Sequence, residues 1–389
     1  MHPLTLRLNA FLRDDLRQEG RVALHEPLFD GREWEYVKEC LDTGWVSTVG
    51  AFVTRFEKDF AAFTGAKHAI VAVNGTAALH MALYGAGVRP GDLVICPTLT
   101  FVATANAIAH CGATPLFIDS DPETLGLSVP ALRETLTRLK PGADGPTLDG
   151  RRVGACVPVH IFGHAADIEE IAALCSAHGI TMIEDATEGL GANKGGVALG
   201  RFGLSGVFSF NGNKIITTGG GGMIVTDDDA QAERLKHLTT TARVKDGWNF
   251  THDEVGWNYR LPNINAAIGC AQLESLPGYV TAKRALAARY ARDLAGMQGV
   301  RFFNERAGTH ANFWLNAVLL DDRETRDRVL EETNAAGIET RPCWRLMHRL
   351  KPYEAAPRAG SLAGAEWIED RLVNLPSSVK LGQGVLAAR

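Results

Sequence analysis

Short apolar segments rich in β-branched residues alternate with longer helical stretches between residues 68 and 185, and this alternation limits the possible folds most strongly. Each apolar segment has the length of a strand, and the intervening stretches have helical periodicity. Such alternation is typical of parallel strands joined by crossover helices. The apolar segments are HAIVAV, LVICP, TPLFID, GACVPVH and ITMIED. We therefore expect an α/β protein with a mostly parallel central sheet.

The chain on either side of these strands predicts additional elements and a second domain. Residues 4–16 and 33–41 have helical periodicity and are expected to pack outside the main sheet. GVFSF and GMIVTD extend the sheet, and a long helical region around residues 262–296 precedes another strand and helix. At 389 residues the chain exceeds the usual size of one domain. We predict a large α/β domain over residues 1–260 and a small α+β domain over residues 261–389.

The overall composition indicates a cytoplasmic globular enzyme. A formal net charge of −5 and a pI near 6.2 weigh against nucleic acid or an anionic membrane as the main partner. The seven cysteines are odd in number and form no C-x-x-C pair, so we expect reduced thiols. The first twenty residues carry frequent charges and no apolar segment of signal or membrane length.

Ligands in an open parallel sheet bind beyond the carboxyl ends of the strands, so the residues that follow each strand are candidate site residues. After HAIVAV, the segment Asn74-Gly75-Thr76-Ala77 begins a helix whose free N–H groups and dipole suit a phosphate. A plain helix cap made by Asn74 or Thr76 explains the same residues. This segment therefore indicates a phosphate site only in combination with the residues at the other strand ends.

Two more strand ends carry residues that suit a flat, positively charged ring. Phe101 follows LVICP and could stack on a heteroaromatic ring, although it could equally fill the core. Asp185 follows ITMIE, where burial disfavours a carboxylate charge unless a cation such as a protonated pyridine nitrogen is near. A capping role for Asp185 in the following turn is the alternative.

Lys214 follows the strand GVFSF in the polar turn Asn211-Gly212-Asn213, next to a glycine-rich stretch. A surface lysine is the default interpretation, but its place between apolar segments suits a Schiff-base amine in an enclosed site. No dinucleotide-binding or P-loop glycine motif is present. His160 and His164 would not share a helix face, so we expect them to be structural and predict no metal site.

Taken in order, six segments resemble the sugar aminotransferases of the DegT/DnrJ/EryC1/StrS family. They are GTAAL, PTLTFVATANAI, VPVHIFGH, IEDATEGLGA, FSFNGNKIITTGGGG and NYRLPNINAAIGCAQLE, and together they span nearly the whole chain. The resemblance implies the aspartate-aminotransferase-like fold type I with pyridoxal 5′-phosphate (PLP) as cofactor. It also implies a homodimer whose two active sites lie at the subunit interface.

The resemblance assigns roles to individual residues. Lys214 would form the Schiff base with PLP, Asp185 would bind the pyridine nitrogen, and Phe101 would stack on the ring. The phosphate would be bound by Gly75, Thr76, Ser209 and, from the neighbouring subunit, Asn258. Many family members have Gln or His where this chain has Glu188, and Glu where it has Gly220. Glu188 near the phenolic oxygen of PLP would need to be protonated or bonded elsewhere.

Within the family, HEPLF, TGWVSTVG and HLTTTA are most similar to enzymes that aminate C4 of UDP-linked 4-keto-6-deoxy-N-acetylhexosamines, with L-glutamate as amino donor. Arg341 and His348 would lie near this nucleotide sugar. GDP-perosamine synthases, which aminate GDP-4-keto-6-deoxymannose, are the alternative. A PLP-dependent sugar dehydratase is disfavoured because such relatives have His at the position of Lys214. A non-catalytic sensor of PLP or sugar nucleotide is the alternative from another class.

Overall fold

The structure, a computed structural model, describes residues 1–387 and is built around two β-sheets flanked by helices. The first helix continues as a π-helical turn over Ala10–Asp15. The helices are α1 (Pro3–Asn9), α2 (Glu33–Thr43), α3 (Ala51–Thr64), α4 (Gly75–Gly85), α5 (Val102–His110), α6 (Val129–Thr137), α7 (Ile168–Ala177), α8 (Asp229–Thr239), α9 (Asn263–Asp293), α10 (Arg323–Ala335), α11 (Ala363–Glu369) and α12 (Val379–Ala387).

The strands include the predicted apolar segments and several short pairs. They are β1 (His68–Ala72), β2 (Leu93–Pro97), β3 (Thr114–Ile118), β4 (Thr147–Leu148), β5 (Arg151–Cys156), β6 (Ile183–Asp185), β7 (Asn193–Lys194), β8 (Val197–Ala198), β9 (Ser205–Ser209), β10 (Gly222–Thr226), β11 (Val300–Phe302), β12 (Thr309–His310), β13 (Asn316–Leu320), β14 (Arg341–Pro342) and β15 (Leu372–Leu375).

The central sheet has two halves, with strand orders β3-β2-β5 and β6-β9-β10-β1. Parallel bridges from Cys156 to Met182 and from Val159 to Asp185 join the halves. β2 is parallel to both neighbours and β6 is parallel to β9, whereas β10 is antiparallel to β1 and β9. The prediction of a mostly parallel sheet is confirmed. Its central strands are buried along their length, as expected for a sheet covered by helices on both faces.

A second, antiparallel sheet with the order β11-β13-β15-β14 forms the core of the C-terminal part. The N-terminal helix packs here, since Leu4 and Leu8 share an apolar cluster with Val318 and Val373. It thus lies outside the main sheet, as predicted, but against the C-terminal layer. The domain boundary between residues 260 and 261 stays a prediction.

The helix α9 joins the part of the chain built on the central sheet to the part built on the second sheet. It extends over 31 residues, or about 46 Å at the standard rise, with Pro277 within it. It packs against α2 and α3 beside the central sheet and against α12 beside the second sheet. This helix corresponds to the predicted helical region around residues 262–296.

Two further expectations concern the cysteines and membrane contact. All seven cysteines are free and buried, as predicted for reduced thiols. Within residues 1–387, no helix combines the length and the apolar character needed to span a bilayer.

Candidate active site

A cavity of about 300 Å³ lies at the carboxyl ends of β1, β2, β6 and β9. This is the edge at which ligands bind in open α/β sheets. The structure therefore brings together side chains that are far apart in the sequence. The predicted site residues that line the cavity are Gly75, Thr76, Phe101, Asp185, Glu188, Ser209 and Lys214.

The amino terminus of α4 forms one end of the cavity. The Asn74 side chain caps this helix by accepting a 2.8 Å hydrogen bond from the Ala77 N–H. A Cβ atom on Gly75 would lie 2.8 Å from the Ser209 Cβ, so only glycine allows this close approach of helix and strand. The first N–H groups of the helix and the Ser209 hydroxyl thus meet at a place that suits an anion.

Asp185 lies at the end of β6 and is buried. Thr104 donates a 2.8 Å hydrogen bond to its Oδ2, and the Thr187 hydroxyl donates a 2.7 Å hydrogen bond to its Oδ1. The Thr187 N–H also donates to Oδ1. These donors fix the orientation of the carboxylate at the cavity wall, where it can bind a cationic ring nitrogen.

Lys214 follows β9 in a turn closed by its N–H, which donates to the Asn211 carbonyl. Its Nζ lies 3.3 Å from Glu188 Oε1 and 4.0 Å from the ring centroid of Trp314. The Lys214 side chain is only 12% exposed, so this amine lies inside the protein rather than on its surface. The default interpretation as a surface lysine is therefore wrong.

Both carboxyl oxygens of Glu188 have hydrogen-bond partners. Its Oε2 accepts a 2.7 Å hydrogen bond from the Phe162 N–H, and its Oε1 faces Lys214. Burial raises the pKa of Glu188 to about 7, although the nearby Lys214 charge acts to lower this pKa. The carboxyl group thus has a proton affinity suited to exchange near neutral pH.

Aromatic side chains form the mouth of the cavity. Phe101 is half exposed at the start of α5, and its ring centroid is 6.1 Å from that of Trp344. Neither Trp344 nor Trp314 was predicted from the sequence, because both come from the C-terminal part of the chain. Trp344 lies three positions after Arg341, which was predicted to lie near the substrate. This segment therefore does reach the cavity, but it does so with Trp344 rather than Arg341.

Three predicted site residues do not line this cavity. Asn258 is exposed and belongs to the segment beside Thr240. Arg341 is exposed and donates a 2.7 Å hydrogen bond to Asn334. His348 is buried, with its Nδ1 2.7 Å from the Thr98 hydroxyl. Their roles with a partner subunit or a nucleotide sugar stay predictions.

The predicted structural histidines are buried in apolar or hydrogen-bonded surroundings. His160 Nε2 lies 2.9 Å from Glu184 Oε2, and His164 packs edge-on against Phe303 and Phe313. Burial lowers the pKa of His164 to about 4, so its ring is neutral near pH 7. These contacts agree with structural roles.

The side chains of this cavity fit PLP. The α4 amino terminus suits its phosphate, the fixed Asp185 carboxylate suits its ring nitrogen, and the enclosed Lys214 amine suits its aldehyde. Phe101 offers an aromatic surface at the same cavity. The phosphate, the ring nitrogen, the aldehyde and the ring face of the cofactor thus each have a residue of matching chemistry.

Comparisons with known proteins show which family this chain resembles. A model of the DegT/DnrJ/EryC1/StrS aminotransferase family matches residues 27–387. The GDP-perosamine synthase of Caulobacter vibrioides is 41% identical over 337 residues, covering 86% of this chain and 87% of that protein. The GDP-perosamine synthase of Vibrio cholerae is 37% identical, covering 92% and 94%. The crystal structure of the aminotransferase TlmJ from Streptoalloteichus hindustanus superposes with a TM-score of 0.84 at 30% identity, covering 95% and 99%.

Proposed function

Because this chain belongs to the DegT/DnrJ/EryC1/StrS aminotransferase family, we propose that it transfers an amino group from L-glutamate to C4 of a nucleotide-linked 4-keto-6-deoxy sugar. The family consists of PLP-dependent sugar aminotransferases. The observation that carries the proposal is the enclosed Lys214 amine in the same cavity as the buried Asp185 carboxylate and the α4 amino terminus.

Each of these groups has a defined task in transamination. When bound, PLP supplies an electron sink for removal of the proton beside the transferred nitrogen. Lys214 would hold the cofactor through Nζ, and its free amine could carry a proton on the same atom. Asp185 would hold the proton of the ring nitrogen, and the N–H groups of Gly75 and Thr76 would orient the phosphate. Phe101 and Trp344, whose ring centroids lie 6.1 Å apart at the mouth, would limit the access of water.

The first candidate substrate is a UDP-linked 4-keto-6-deoxy-N-acetylhexosamine. Its support is the similarity of HEPLF, TGWVSTVG and HLTTTA to enzymes that use such sugars. A site with buried polar partners for a 2-acetamido group should reject a sugar with a 2-hydroxyl group, because those partners would be left unpaired.

The second candidate substrate is GDP-4-keto-6-deoxymannose. It is favoured by the two GDP-perosamine synthases, which are 41% and 37% identical to this chain. Both candidates are 4-keto-6-deoxy sugars, so the chemistry at Lys214 is the same. They differ in the base and in the substituent at C2.

A comparison of kcat/KM for the two keto sugars distinguishes these candidates. Each sugar nucleotide would be generated in place by its dehydratase, with L-glutamate in excess and the aminosugar measured by mass spectrometry. We expect a preference for the UDP sugar of about tenfold or more, as expected for unpaired buried polar groups. A preference for the GDP sugar would make the enzyme a perosamine synthase, and turnover of neither would refute both substrate candidates.

A homodimer with shared active sites is part of the same proposal. Large apolar side chains are exposed in and after α2 and in the segment before Asn258, among them Trp34, Trp45, Val49 and Trp248. Exposed apolar patches of this kind support self-association. In such a dimer Asn258 would reach the phosphate site of the partner, and Arg341 and His348 would lie near the nucleotide sugar.

A further inference from the structure

We propose that Glu188 is a positioning residue for Lys214, whose amine it holds beside Trp314 and whose proton it takes up and returns. This role rests on the proposed aminotransferase function, because a lysine that is released and recaptured during turnover must gain and lose a proton. Glu188 takes up and returns this proton through Oε1, the oxygen that faces Lys214 Nζ at 3.3 Å.

Lys214 is held between an acid and an aromatic ring. Its Nζ lies 3.3 Å from the Glu188 carboxyl on one side and 4.0 Å from the Trp314 ring centroid on the other. The side chain of Glu188 is only 3% exposed, so solvent does not screen the ion pair effectively. The two contacts together select one position for the amine.

The Glu188 carboxyl is itself held in place. Its second oxygen accepts the 2.7 Å hydrogen bond from Phe162, a non-glycine residue in the left-handed region with φ of 56°. Asn312 Nδ2 donates a 2.8 Å hydrogen bond to the main-chain carbonyl of Glu188. This left-handed conformation of Phe162 is unfavourable for a non-glycine residue and persists only where the surrounding contacts enforce it.

Another buried glutamate on the preceding strand shows how a purely structural carboxylate is bonded. Glu184 accepts hydrogen bonds from the N–H groups of Gly200, Phe202 and Gly203, and its Oε2 is also near His160. Both of its oxygens are thus occupied by fixed donors. Glu188, by contrast, leaves one oxygen directed at the ammonium group of Lys214.

Proton exchange within the pair conserves charge. When the proton moves from Lys214 Nζ to Glu188 Oε1, an ammonium and a carboxylate become an amine and a carboxylic acid, and the net charge stays zero. Burial raises the pKa of Glu188 to about 7, so its neutral form is accessible. A buried site tolerates such an exchange better than the gain or loss of a net charge.

The other titratable groups around the pair act in defined directions. Asp185 faces Glu188 and raises its pKa, whereas Lys214 lowers it. His25 faces Lys214, and burial followed by the charges of Lys283 and Lys214 places the pKa of His25 far below its usual value. His25 is therefore uncharged near neutral pH, and Glu188 is the acid in contact with the amine.

Competitive labelling of the full-length chain, freed of cofactor, tests this role directly. Trace acetic anhydride acetylates only uncharged amines, and mass spectrometry of the Lys214 peptide then reports the uncharged fraction at each pH. The test variant is Glu188→Gln, which keeps an acceptor for Phe162 but carries no negative charge. The matched control is Glu305→Gln, because Glu305 also accepts from a main-chain N–H, that of Ala311, and pairs with Arg284 away from the cavity.

In the wild type the Glu188 carboxylate lies 3.3 Å from the Lys214 ammonium and stabilises it. We expect Glu188→Gln to lower the pH of half-maximal Lys214 acetylation by about one unit or more, with the control at the wild-type value. Coincident curves for Glu188→Gln and wild type would overturn the role. If Glu188→Gln does not fold, Glu188→Asp is used instead. Its shorter side chain moves the carboxylate away from Lys214, so we expect a smaller shift of the acetylation curve. Coincident curves for Glu188→Asp and wild type would again overturn the role.

The labelling requires neither cofactor nor substrate, so its result is independent of turnover. A shifted curve in an enzyme that aminates neither keto sugar would retain the Glu188–Lys214 pair and refute both substrate candidates of the proposed function. Unshifted curves in an active aminotransferase would retain the function and refute the role of Glu188.

Discussion

The indole Nε1–H of Trp314 donates a 2.7 Å hydrogen bond to the main-chain carbonyl of Asn213, the residue before Lys214. The same indole ring lies 4.0 Å from Lys214 Nζ. One side chain from the C-terminal part thus holds both the backbone and the amine of the lysine. The position of Lys214 therefore depends on contact between the two layers of the protein.

This contact predicts graded effects at Trp314. Trp314→Phe removes the hydrogen bond, worth about 1 kcal/mol, whereas Trp314→Leu also removes the interaction with the ammonium, worth about 0.5–1 kcal/mol. We expect kcat to fall about fivefold for Phe and about tenfold or more for Leu, as measured in steady-state assays. Trp367→Leu is the matched control, since Arg371 lies over Trp367 away from the cavity. Equal loss in the control would point to a general loss of stability.

Removal of the Lys214 amine should abolish transamination while the chain still folds. Lys214→Ala is expected to lack the visible absorbance band of the lysine-bound cofactor and yet to retain PLP through the α4 amino terminus and Asp185. Absorbance spectra and equilibrium dialysis measure the two properties. The exposed Lys67, which pairs with Asp229, provides the control Lys67→Ala. A persistent band in Lys214→Ala would show that another lysine holds the cofactor.

The proposed shared site predicts complementation between two inactive variants. In mixed dimers of Lys214→Ala and Asn258→Ala chains, one of the two sites receives both intact residues. We expect the mixture, after dissociation and re-association, to regain about a quarter of wild-type activity if subunits pair at random. Each variant re-associated alone is the control. Inactive mixed dimers would contradict the assignment of Asn258 to the partner's site, provided that Asn258→Ala alone is inactive.

Gly163 predicts an effect on stability rather than chemistry. Its φ is 90°, and a Cβ atom there would lie 1.7 Å from Asn312 Oδ1. This oxygen accepts a hydrogen bond from the main-chain N–H of Trp314. We expect Gly163→Ala to reduce the free energy of unfolding by about 3 kcal/mol or more. Gly179→Ala is the control, because Gly179 also has a positive φ but has open space around its Cβ position. Similar losses in urea denaturation would mean that backbone strain alone is responsible.

The strand-end residues of the site could be predicted from the sequence. Gly75, Asp185 and Lys214 each follow an apolar strand segment, and they meet in one cavity. The physical reason is that the carboxyl ends of parallel strands lie at the same edge of a sheet. The six family-like segments added the cofactor and the reaction class, which periodicity alone does not specify.

The partners of these residues could not be predicted, because they depend on how the layers pack. Trp314 reaches Lys214 across a separation of about one hundred residues, from the segment that precedes β13 of the second sheet. Glu188 was recognised as a departure from the family pattern, but its bonding to Phe162 and Lys214 depends on the backbone conformation of a loop from a third segment.

The local sequence by itself determined the order of strands and helices and the residues at the strand ends, because hydrophobic periodicity and turn residues act over short distances. Only the tertiary structure decided which side chains hold Lys214 and which acid shares its proton. Those contacts join segments that are distant along the chain, and the burial that raises the pKa of Glu188 arises only when the layers have packed.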